Sequence, residues 1–232
     1  MEKYGKARVA VIIVLVVLLV ILSVAIFYLY NMATDRSEEY KLSTIASTDI
    51  YEPLVKSIIL GEEQTITDDN INGIIRKIMD ENPLTNIKSK DSVSIHGIAV
   101  YLQDNQTAEI YADISYKNID MIFSAEAEIT LDTTEKIIGI EVKNTRLGKL
   151  EIPEKYIMSL IEPSLEKLSK SIAVEETYIT VPSEYKITFL KKEIELYIES
   201  FNISQGSATI QTNSAMNSIK QFIDEMISGW FA

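Results

Sequence analysis

His96 is the one histidine of the chain. A lone imidazole serves as a general base only beside a nucleophile or a carboxylate within hydrogen-bond reach. Nothing near it in sequence supplies such a partner, so a turn or polar-face role is the expectation. With one His and no Cys, a zinc site has no donor set. Glu126 and Glu128 stand two apart and leave the same face of a strand, where they could meet a divalent ion or a basic partner, although a solvated face is the simpler expectation. Asp68, Asn70, Asn72 and Gly73 match the first half of a calcium loop. The twelfth position is Met79, where a bidentate Glu is required, so helix capping explains these residues better. Ser164 and Lys167 have the spacing of a serine acyl-transfer pair, but they sit beside Pro163 in what reads as an ordinary amphipathic helix. The inventory therefore predicts no enzyme, no metal and no cofactor.

These residues belong to a chain that opens with a hydrocarbon rod. Residues 9–30 carry no charge and follow Lys3, Lys6 and Arg8. At about 1.5 Å per residue they span roughly 33 Å as a helix, enough to cross a bilayer. The apolar run is too long for a signal-peptide core and lacks a clean cleavage site, which predicts an uncleaved single-pass signal-anchor. The positive-inside rule places residues 1–8 in the cytoplasm, with residues 31–48 as a helical extension or short stalk and 49–232 as an extracytoplasmic domain. Removing Glu2, Lys3, Lys6 and Arg8 from the 34 acidic and 22 basic residues leaves 33 and 19, a formal charge of −14 on the outer part. That field disfavours nucleic acid and anionic headgroups as broad partners. A cell-envelope address suits a Cys-free, acidic, anchored domain. The sequons at Asn105 and Asn202 read as chance matches.

The outer part predicts one α+β domain. A helix follows Thr67, with Asp68 and Asp69 at its positive end and Ile71, Ile74, Ile75 and Ile78 in helical register, ending at Asn82-Pro83. From Ser92 to Leu150 the period falls to two. Its sharpest strand sets Ile119, Met121, Phe123, Ala125, Ala127, Ile129 and Leu131 against Asp120, Ser124, Glu126, Glu128 and Thr130, interrupted by Ile122. A helix from about Pro153 carries Ile157, Leu160, Ile161, Leu165 and Leu168, with Pro163 expected to bend or split it. Strands are expected near 178–181, 185–190, 194–201 and 207–211. A terminal amphipathic helix comes after them over about 214–230, with Met216, Ile219, Phe222, Ile223, Met226, Ile227 and Trp230 on one face. The predicted architecture is a transmembrane helix and a long curved antiparallel sheet packed on two or three helices.

The order of elements resembles the YpmS-like family, membrane-anchored proteins of Gram-positive bacteria with no established activity. The resemblance covers roughly residues 1–210. It rests on the span, on Thr67–Ile75 (TDDNINGII), on Val93–Gly97 and Phe123–Ala127, and most specifically on Val142–Pro153 (VKNTRLGKLEIP), which runs from sheet to helix. The terminal helix departs from the strand-like ending of that family.

The expected function is a non-enzymatic envelope protein that binds a lipid-like or other amphiphilic ligand near the membrane. Met121, Phe123, Ile129, Ile157 and Leu160 are expected at the helix–sheet seam, with Phe222, Met226 and Trp230 as further apolar contacts. The alternative is a structural or assembly subunit recruiting envelope proteins through its span and terminal helix.

Overall fold

The computed structural model describes residues 2–43, 51–81, 93–168, 171–189 and 192–217. Helix α1 runs Glu2–Ala33, and its Val16–Ala33 window has a mean hydropathy of 2.4 with no side chain buried. It is long and apolar enough to cross a membrane, consistent with an anchor. A short 3-10 turn, Glu39–Leu42, leads toward α2 (Tyr51–Leu60), β1 (Gln64–Thr67) and α3 (Asp68–Glu81). The meander comes next as β2 (Val93–Gln103), β3 (Thr107–Tyr116), β4 (Ile119–Asp132) and β5 (Ile137–Leu147), then β6 (Leu150–Glu151) and α4 (Glu154–Leu168). Beyond α4 come β7 (Ala173–Glu175), β8 (Tyr178–Pro182), β9 (Glu184–Phe189), β10 (Lys192–Ser204) and β11 (Ser207–Thr212).

The strands form two antiparallel sheets rather than the single expected one. A seven-stranded sheet has the order β2-β3-β4-β5-β8-β7 with β6 on β5, and a four-stranded sheet the order β1-β11-β10-β9. The smaller sheet is the β9–β10–β11 meander with Gln64–Thr67 added at its edge against residues 207–210. Helix α4 passes through Pro163 as one element and is not split. The expected helix stop at Asn82-Pro83, and the terminal helix beyond residue 217, lie outside the described residues.

The alternating face of β4 is buried as its pattern requires. Ala125 and Val142 pack with Met158 of α4 and Ile179 of β8, flanked by Phe123, Ile140 and Ile161. At the β2 side, Leu102 and Ala108 meet Ile203 and Ala208 of the smaller sheet, with Ile71 and Ile129 against them. Burying the larger of these side chains, Leu102, Val142, Met158, Ile179 and Ile203, contributes about 1.5–3 kcal/mol each, which fixes the stacking of the layers.

The half calcium loop is a splint. The Asp68 carboxylate accepts from Leu102 N at 2.9 Å, and Asn72 both accepts from Val100 N (2.8 Å) and donates to Val100 O (2.9 Å). Strand β2 is an edge, so these side chains satisfy backbone groups that would otherwise offer a pairing template. Asn70 Oδ1 accepts from Thr67 N and Oγ1 at 3.0 Å while Thr67 Oγ1 accepts from Asn70 N, a reciprocal cap at the helix start. Burial pushes the Asp68 carboxyl upward, against the Leu102 amide. Asn72 is buried in place of a full isoleucine stripe, and Ile78 stays 51% exposed.

Candidate functional site

The face of the meander opposite the core begins as a polar surface, and the chain leaving the membrane helix lies on it. Residues 34–43 run across β3, β2 and the β5–β6 turn. Arg36 donates to both carboxylate oxygens of Asp113 on β3, at 3.0 and 3.2 Å, and also pairs with Glu39 at 2.9 Å. The fork-to-fork geometry makes this a strong class of ion pair. Asp35 pairs with Lys149 at 2.9 Å and accepts from the Ser37 hydroxyl. Those two contacts, Ser37 first, hold its carboxyl at about 2, below its ordinary 3.8. The Tyr101 phenol donates to Lys41 O, and the Lys41 ammonium stands 5.0 Å from the Tyr101 ring centre and 5.3 Å from that of Tyr111. Burial first, and then the Glu109 carboxylate that accepts its hydrogen bond, pushes the Tyr111 phenol well up, keeping it a donor.

Gly148 is the tightest point of this clamp. Its φ is +53°, and a Cβ there would fall 2.8 Å from the Asp35 carbonyl oxygen and 3.0 Å from that of Ala33. Lys149 N donates to Met32 O at 2.9 Å, and Gly148 N donates to Ile122 O at 2.7 Å. Ile122, the residue that breaks the alternation of β4, is 1% exposed and pairs with Asp113, the partner of Arg36. The LGKLEIP segment thus joins membrane helix to sheet. It also borders a polar cleft of about 620 Å³ lined by Glu126, Asn144, Thr145, Arg146, Glu151 and Glu154. Glu126 accepts from Asn144 at 2.7 Å and Glu128 pairs with Lys143 at 2.6 Å, so the two glutamates find separate partners. His96 is exposed, with Nε2 3.0 Å from Ser115 Oγ. Among the described residues no group of three or more His, Asp or Glu is placed to hold a metal ion.

A second cleft, of about 350 Å³, lies at the other end of the structure between α2 and the smaller sheet. Ile58, Leu196, Ile198 and Ile210 give it hydrocarbon walls, with Tyr185 and Tyr197 at its side. Buried hydroxyls stitch its floor: Thr212 N donates to Ser57 Oγ at 3.1 Å, and Thr212 Oγ1 donates to Ser57 O at 2.9 Å. Ser183, 1% exposed, also lines it, and its hydroxyl has no hydrogen-bond partner. Ser183 N donates to Lys136 O, just before β5, whereas the clamp sits just after β5. At about 3.3 Å per residue, roughly 33 Å of strand separates the cleft from the anchor.

Met121 is buried on β4, Phe123 flanks the α4 core, Ile129 flanks the inter-sheet core, and Ile157 is half-buried on α4. None of these four lines either cleft. Leu160 lies in α4, and its side chain falls outside the described residues, as do Phe222, Met226 and Trp230 altogether. The residues that do line the apolar cleft come from 57–58, 183–198 and 210–212, separations that no local pattern connects. The clamp had one local signal, the out-of-phase Ile122. No protein-family model, no curated protein and no solved structure matches the chain.

Proposed function

We propose that this is a non-enzymatic, membrane-anchored envelope protein whose extracytoplasmic domain binds an amphiphilic ligand by its apolar end, in the cleft between α2 and the four-stranded sheet. The observation that carries the proposal is the cleft itself, which is walled by Ile58, Leu196, Ile198 and Ile210. Its volume falls within the range of small-molecule sites. Lys3, Lys6 and Arg8 ahead of the span support the address.

The direct test uses the full chain in nanodiscs, titrated with a dansylated eleven-carbon fatty acid. Saturable binding is expected, weakened about tenfold (about 1.4 kcal/mol) by Leu196→Asp. No binding, or equal binding by that variant with its circular dichroism intact, overturns the site. Protease added to sealed protoplasts should digest the domain; protection of the large fragment overturns the address.

The clamp favours a second reading, an assembly subunit that presents its domain to envelope protein partners at a fixed angle to the span. Pull-down with and without residues 214–232, and with Arg36→Ala, separates it from ligand binding.

A further inference from the structure

The polar cleft beside the clamp carries both signs of charge, and its own side chains leave them poorly matched. Its walls come from Glu126 of β4, residues 144–146 of β5, and residues 151–154 beyond the β5–β6 turn. Arg146 and Glu151 are register partners across that turn. Such partners hold their Cβ atoms about 4.5–5.5 Å apart on one face of a sheet. The Arg146 guanidinium nevertheless pairs with Glu38, at a long 3.8 Å, and its Nε is buried without a hydrogen bond. On the other side Arg146 faces Ser124 of β4, which is 4% exposed and whose hydroxyl is likewise buried without a partner. Leaving a buried donor unmatched costs about 1–3 kcal/mol, so two of them on facing residues favour an acceptor with several oxygens.

The carboxylates ask for the opposite charge. Glu126 accepts from Asn144 at 2.7 Å, while Glu151 is exposed and Glu154 half-buried. Three lining carboxylates against one lining guanidinium leave a formal −2. That field repels a lone phosphate, and a simple cation gives the two donors no acceptor. A zwitterion suits both halves. Place narrows the choice: Lys149 N, in the turn between the two walls, donates to Met32 O at the end of α1. Arg146 is three residues away, so the cleft lies within about 10 Å of the end of the span.

We propose that this cleft binds the headgroup of an aminophospholipid, its phosphodiester accepting from Arg146 and Ser124 and its primary ammonium donating to Glu151 and Glu154. The site lies at the opposite end of β5 from the apolar cleft and stands without it; only the lipid source rests on α1 as an anchor.

The test is native mass spectrometry of the full chain in detergent micelles. The chain is offered phosphatidylethanolamine, phosphatidylcholine and phosphatidylglycerol with identical acyl chains. Phosphatidylethanolamine should be retained about tenfold over the others, because the choline nitrogen has no N–H to donate and the glycerol headgroup has no cation. Arg146→Gln should weaken that retention about tenfold, and Glu151→Gln should erase the preference over phosphatidylcholine, with circular dichroism unchanged. Glu151→Gln, at an exposed position, carries the test alone if Arg146→Gln fails to fold. Equal retention of the three lipids, or unchanged retention in the folded variants, overturns the site. A preference for phosphatidylglycerol makes it an anion site and overturns the assignment. Soluble glycerophosphoethanolamine should compete poorly; displacement of the lipid at equal concentration keeps the headgroup chemistry and overturns the lipid source. Loss of lipid selectivity with saturable dansyl-probe binding overturns this site alone, and the converse overturns the apolar cleft alone.

Discussion

At the Gly148 end of the long sheet ion pairs and carbonyl oxygens hold the chain against a polar cleft; at the Lys136 end ion pairs are present too, from Lys136 to Glu184 and Glu195, but buried hydroxyls floor a slot walled by hydrocarbon. The first end joins Arg36 to Asp113 and Lys149 to Asp35 within a few residues of the membrane helix. The second joins Ser57 to Thr212 and leaves a slot lined by Leu196 and Ile210. The difference separates two tasks. Directional bonds at the first end resist rotation of the domain against α1, while the walls of the second end are non-directional hydrocarbon, as the proposed amphiphile site requires.

Breaking the polar end at its tightest contact should have the largest effect. Gly148→Val adds a Cβ against backbone at positive φ, and a loss of roughly 2–4 kcal/mol in denaturant unfolding is expected. New proteolytic cuts should open within residues 34–43, with probe binding at the other end retained. An uncut variant of unchanged stability would refute the clamp. Arg36→Ala leaves Asp113 without its fork and should cost about 1–2 kcal/mol, read by the same two assays. Leu196→Asp should invert the pattern, reducing probe affinity while residues 34–43 stay protected from protease. Acid sharpens the comparison further. The Asp35 carboxyl is held at about 2 against an ordinary 3.8, so its contribution is complete above about pH 4 and fades as pH falls toward 2. Hydrogen exchange at the Lys149 amide should accelerate over that window, while the Thr212 amide, bonded to a serine, should not respond. His96→Gln is the smallest change: a shift within about 0.5 kcal/mol and unaltered probe binding are expected, and a large loss of either would restore the imidazole to consideration.

The elements themselves were legible because their periods are local. The four long strands of the meander, the helix after Thr67 and the buried face of β4 follow from alternation and capping residues alone. The division into two sheets was not, since no local pattern says that β8 pairs back with β5 while β9 pairs with β10, and Gln64–Thr67 finds its partner more than a hundred residues away. The Asp68–Asn72 run shows the same limit in another form. Its composition resembles half an ion loop, but its carboxylate and amides are spent on an edge strand that only the tertiary fold brings near. Phe123 was recognisable as core from the alternation of β4, whereas buried Met158 lies outside the stripe expected of α4, and the cleft gathers small hydroxyls and isoleucines that look ordinary one by one.

The hydrogen bond from Lys149 to the carbonyl of Met32 leaves almost no slack between the rod and the body it carries. A body on a long flexible leash would take every bearing on its rod; this one takes a single bearing in every copy.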